Sequence, residues 1–146
     1  MKPPEILSIL LLICGLFLTG CASNPGVTRE IREYGRDRDA NSAGRHAHID
    51  YQGATERALA RDASGLRELF RFTTSGWNDG AVGELHGAML QDQVRYWGDG
   101  PFSTVLRGES QEVQKAVTSE VLYAPGFSKD AYPLTYGLAA KWNPGR

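Results

Sequence analysis

The sequence predicts an all-α protein: a small bundle of about four to five short helices after a flexible N-terminal tether, closed by an irregular aromatic C-terminal tail. Three observations predict it. Apolar residues recur every three to four positions from residue 54 to residue 121. Asp, Ser, Gly and Pro punctuate that pattern where helix starts and stops are expected. No pair of alternating apolar runs is joined by hairpin-forming residues.

The elements follow in order. Ala58, Leu59, Ala63, Leu66, Leu69 and Phe70 share a helical face. Asp62, followed by Ala-Ser-Gly, suits a helix start better than a middle, so this stretch is one bent helix or two short ones. Gly65 weighs against a single straight helix. Residues 73–80 read as a loop, after which Asp79 caps a helix over about 80–97 with the stripe Val82, Leu85, Met89, Leu90, Val94 and Trp97. Gly98-Asp99-Gly100 ends it. Pro101 opens a short helix in which Phe102, Val105 and Leu106 face inward. Ser110 caps the last helix, about 111–123, and Gly126 after Pro125 is placed for a left-handed exit. Residues 124–146 carry Phe127, Tyr132, Tyr136 and Trp142 among prolines and glycines. These aromatics are expected to lie over the helices and close the core. The alternative is a strip that binds a partner together with Trp77.

The first twenty residues read as an export signal rather than a fold element. Met1 and Lys2 make a charged head, and Ile6 to Phe17 is an apolar run too short for a comfortable membrane span. Leu18-Thr19-Gly20-Cys21 then resembles the lipobox of bacterial lipoproteins: an aliphatic residue, a small one, Gly or Ala, then Cys. That resemblance implies cleavage before Cys21, a covalent lipid on its thiol, and tethering to a membrane surface outside the cytoplasm. Ala22 and Ser23 resemble the residues that permit export to the outer membrane where the host has two membranes. The expected organisation is therefore a signal peptide over 1–20, a lipidated N-terminus and flexible tether over 21–52, and a helical domain with its tail over 53–146. The tether reading rests on Gly, Pro and alternating charge between Arg29 and Asp39, with few residues to offset the entropy of ordering, although Val27, Ile31 and Tyr34 at i, i+4 and i+7 allow one or two helical turns there.

The full chain has a formal net charge of −1. Residues 1–20 remove one Lys and one Glu, so the charge after cleavage is unchanged. A near-neutral chain argues against a nucleic-acid partner. Of the two cysteines, Cys14 leaves with the signal, so no disulfide is available and stability must come from packing.

Two clusters merit chemical weighing. His46, His48 and Asp50 would share a face on an extended segment and are reasonable Zn²⁺ ligands. The run resembles the start of the metallo-β-lactamase motif, His-x-His-x-Asp-His, but departs at Tyr51, where a histidine is required. Solvated histidines are the expected reading, and no cofactor beyond the lipid is expected. The second cluster is His86 with Asp79, seven positions and two helical turns apart, a histidine and carboxylate that could serve as a general base. No nucleophile accompanies it: Ser75 and Ser103 lack a nucleophile-elbow setting. His86 is expected at the edge of a buried stripe in a structural role. Asp92, Asp99, Glu109 and Glu112 read as solvated faces and caps, and Gly98–Pro101 as a turn rather than a phosphate loop. The function expected is that of a lipid-anchored cell-envelope protein presenting a helical interaction or structural domain to an unidentified protein partner. The competing class is a small periplasmic enzyme or metal-binding protein using His86 or His46 and His48.

Overall fold

The computed structural model describes residues 24–123 and 127–142, which form helices joined by turns and loops, with no strand among them. The stretch expected to be a signal peptide, Cys21, Pro125 and Gly126 lie outside the described residues. Eight helices are present among the described residues: α1 (Pro25–Gly35), α2 (Arg38–His46), α3 (Tyr51–Leu59), α4 (Ala63–Phe72), α5 (Gly80–Trp97), α6 (Asp99–Arg107), α7 (Gln111–Tyr123) and α8 (Pro133–Ala140).

The all-α expectation stands, but four to five helices is too few. Two of the additional helices, α1 and α2, occupy the stretch expected to be a flexible tether. Asn24 and Asp37 start them: Asn24 Oδ1 accepts from Gly26 N at 3.0 Å, and Asp37 Oδ1 accepts from Ala40 N at 2.9 Å. Their inner faces use few large residues. Ile31 and Ala40 are fully buried, with Ala43 and the backbone of Gly35 and Gly44 beside them. Small residues let α1 approach α3 and α5 closely, so ordering is offset by contact along the backbone rather than by a broad apolar stripe. The third addition, α8, corrects the irregular tail. Its N-cap residue Tyr132 offers no side-chain cap bond. Asp99 supplies it from the start of α6, accepting from Leu134 N at 2.7 Å and Thr135 N at 2.8 Å. Asp99 is therefore a cap in trans, not a solvated face.

α5 is the central element, with α1, α2, α6 and α7 packed around it. Its length matches the expected 80–97. Asp79 precedes it as expected but makes no side-chain cap bond, and Gly98, at φ 79°, breaks the chain into α6 where only glycine adopts the angle freely. The stretch before the loop is two helices rather than one bent helix. Asp62 caps α4 by accepting from Ser64 N at 2.8 Å, as its sequence setting implies. Gly65 is required by proximity, since a Cβ there would lie 2.4 Å from the carbonyl oxygen of Ala54 on α3. Ser110 Oγ likewise accepts from Val113 N at the start of α7, at 3.3 Å.

The ends of α3 and α5 cap each other. Trp97 Nε1 donates to Ala58 O at 3.1 Å, and Tyr96 Oη donates to Leu59 O at 2.6 Å. In return Arg61 donates to Tyr96 O at 2.6 Å and Trp97 O at 3.1 Å, with its guanidinium 4.3 Å from the Tyr96 ring centroid. The carbonyls at both helix ends, which have no partner within their own helix, are thus satisfied from outside. A cation at a helix C-terminus is also favoured by the helix dipole. Arg61 does this from a left-handed backbone, φ 63°, where glycine would be unstrained.

The two contributions of Arg61 separate by mutation. Arg61→Ala keeps the left-handed angle and loses the capping bonds, and should cost about 1–3 kcal/mol in urea unfolding. Arg61→Gly loses the same bonds but relieves the backbone, and should be more stable than the alanine variant by about 1 kcal/mol. Equal stability of the two variants would show that residue 61 is not held left-handed.

Candidate functional site

Two places bring polar side chains together, one sealed and one open. The sealed one surrounds His86. The residue is fully buried in α5, not at a stripe edge. Asp79, its expected partner, is exposed at the helix start. His86 Nδ1 meets Tyr51 Oη at 2.9 Å, and Nε2 meets Thr73 Oγ1 at 3.0 Å. The chain closes when Tyr51 donates to Nδ1, Nε2–H donates to Thr73, and Thr73 donates to Leu69 O at 3.4 Å. This assignment follows from satisfying every polar atom along the chain. Phe72 covers the ring edge-on, at 4.9 Å between centroids, and packs on Tyr51 at 4.9 Å as well.

Burial pushes the His86 pKa down to about 3. Burial also raises the Tyr51 phenol well above its ordinary range. Both groups stay neutral through the physiological range, and neither reaches solvent. A histidine with both nitrogens engaged, in a dry aromatic niche, has no access to a substrate. Its role is to join α3, the end of α4 and α5.

His46, His48 and Asp50, weighed above as candidate metal ligands, are not brought together on one face. Among the described residues no group of three or more His, Cys, Asp and Glu side chains could hold a metal ion. The segment is not extended, so alternation does not apply. His46 ends α2 and stacks on Trp77 at 4.6 Å, with 18° between planes. His48 takes a left-handed angle, φ 57°, and Asp50 caps α3 by accepting from Gly53 N at 3.0 Å.

The open place is a cleft of about 650 Å³ among α1, α2 and the start of α3. Arg36, Arg38, Arg45 and His48 line it, with Asn41 and Gln52. Asn41 fixes its floor: its amide donates to Gly35 O at 2.9 Å and Asp37 O at 2.7 Å, while Oδ1 accepts from Gln52 N at 3.1 Å. One side chain therefore ties the end of α1, the start of α2 and the start of α3. Sequence reasoning passed over this cleft because it assigned the whole segment to a tether. The signal present was the run of arginines between Asx caps.

The aromatic residues considered for a partner strip divide. Trp77 is 48 % exposed, although one face of it is against His46. Phe127 and Tyr132 stack at 4.8 Å and pack against the core. Tyr136 and Trp142 are half-buried. The acids read as solvated also divide. Asp92 is 2 % exposed and pairs with Arg95, and the Glu109 side chain lies between Arg67 and Arg71, at 3.5 Å from each. Glu112 is exposed, as expected.

The niche sets a pH dependence. A histidine whose pKa is lower folded than unfolded favours the fold when neutral, so its contribution is complete above about 6.5 and is lost as pH falls toward 3. Each pH unit inside that window costs about 1.4 kcal/mol. Urea unfolding at pH 7 and pH 5 should therefore differ by about 2 kcal/mol, with the acid sample weaker. Identical midpoints would mean that the ring is solvated.

Searched against protein-family models, curated proteins and solved structures, the chain matches none.

Proposed function

We propose that this chain is a lipid-anchored protein of the bacterial cell envelope, which presents its helical domain as a binding module rather than as an enzyme. The observation that carries the reading is the charged head, short apolar run and Leu18-Thr19-Gly20-Cys21, which satisfies the lipobox at every position. No helix among the described residues is long and apolar enough to cross a membrane; attachment by acyl chains is what the lipobox resemblance implies.

The domain is set close to that anchor. Consecutive Cα atoms are 3.8 Å apart, so Pro25, four residues after Cys21, lies within about 15 Å of it in any conformation. α1 begins there. The expected long tether is thus replaced by a folded surface held at headgroup distance. Ala22 and Ser23 favour the outer membrane in a two-membrane host. The sealed state of His86 weighs against the enzymatic reading, because the chemistry it was considered for needs a reachable ring.

Growth with labelled palmitate should place label on the protein, and Cys21→Ser should abolish both the label and cleavage before residue 21. Unlabelled wild-type protein, or unchanged membrane partition of the variant, would contradict the proposal.

A further inference from the structure

The geometry points to the α1–α2–α3 cleft as a binding site for a phosphate group, carried by a phosphomonoester or phosphodiester. Arg36 caps the end of α1, Arg38 opens α2, and Arg45 stands two turns further along it. All three are exposed, as is His48. The side chains of Arg36 and Arg45 make no hydrogen bond or ion pair among the described residues. Arg38 has only its neighbour Asp39, at 3.8 Å with both side chains largely in solvent. Four arginines elsewhere are matched to carboxylates, Arg57 to Glu68, Arg67 and Arg71 to Glu109, and Arg95 to Asp92; Arg32 and Arg107 are not, but neither lines the cleft.

The one carboxylate lining the cleft, Asp50, is turned onto the N-terminus of α3. Asp37 is held in the same way on α2, where it accepts from Asp39 N and Ala40 N. Both charges are offset by the positive ends of the helices they cap. The lining therefore carries three guanidinium groups against one engaged carboxylate.

The number of forks selects the ligand. A carboxylate presents two oxygens and is served by one guanidinium, whereas a phosphate presents enough oxygens for several at once. The volume exceeds that of a phosphate alone and leaves room for the group it esterifies. The walls are already in position. Asn41 locks the three helix ends, and Ile49 N donates to Gly44 O at 2.8 Å across the left-handed His48. Strain at a non-glycine residue is stored where a side chain is wanted. His48 occupies the position at which glycine would close the same turn more cheaply. The inference does not depend on acylation, since every residue involved lies after the anchor.

The test uses the full chain in neutral detergent and isothermal titration with inorganic phosphate, alongside a sodium chloride titration at equal ionic strength. Phosphate should give saturable binding and chloride should not. The Arg36→Gln, Arg45→Gln double variant should weaken phosphate binding by at least about tenfold while keeping the thermal midpoint, because both residues are exposed. A parallel titration with monomeric dihexanoyl phosphatidylglycerol separates the sources. Tighter binding of this probe than of phosphate assigns the site to a lipid headgroup, and the reverse order assigns it to a soluble phosphoester. Absence of saturable binding to both probes, or equal affinity of wild type and double variant, overturns the inference.

Discussion

Burying one helix on nearly every side forces its polar residues to find partners, and the arrangement of this protein follows from how they do so. α5 carries His86, Gln91, Asp92 and Gln93 below one-tenth exposure. A buried polar atom without a partner costs about 1–3 kcal/mol, comparable to much of a small domain's net stability. His86 takes Tyr51 and Thr73, Gln91 donates to Val121 O at 3.0 Å on α7, and Asp92 takes Arg95. Tyr51, Thr73 and Val121 each fix a different neighbour against α5, whereas Arg95 lies on α5 itself and matches the Asp92 charge within the helix. Gln93 is the exception: its amide reaches Met89 Sδ at 3.7 Å, and its Oε1 has no partner among the described residues. The mutual capping of α3 and α5 completes the frame, since Tyr96 and Trp97 spend their polar atoms on the carbonyls of Ala58 and Leu59.

The parts of the fold legible in the sequence are those whose cause is local. α4 through α7 carry large apolar residues at helical spacing, and Asp62 and Ser110 cap within their own helices. The parts that were not legible depend on distant partners or on small residues. α1 and α2 bury Ile31, Ala40 and Ala43 with glycine backbone, which leaves no stripe that composition can reveal, although Val27, Ile31 and Tyr34 already stood at helical spacing. α8 is capped by Asp99, 35 positions earlier in the chain. The partners of His86 are 35 and 13 positions away, so its burial could not be read from its own helix. The cleft was missed for the same reason, as its walls exist only once α1 and α2 are helices.

Function follows from the contrast between the sealed niche and the open cleft. Neutral His86 holds three helices together and is closed to substrates. Three arginines without a buried carboxylate partner, Arg36, Arg38 and Arg45, line the cleft instead, in the helical segment that follows Cys21. Under the proposed acylation of Cys21, a domain within about 15 Å of that residue would face the headgroup region, where exposed charge is only partly screened over a Debye length of about 8 Å. Trp77 stands at the far end of α2, stacked on His46, and stiffens the loop that leads into α5.

The central claim is that His86 is a neutral, fully engaged imidazole joining α3, α4 and α5. Long-range ¹H–¹⁵N correlation of the histidine ring nitrogens across a pH series tests it most directly. The account predicts one histidine with a protonated Nε2 and an unprotonated, hydrogen-bonded Nδ1, whose shifts do not move between pH 8 and pH 5. A full set of histidine rings that all titrate near pH 6.5 while the protein stays folded would contradict it.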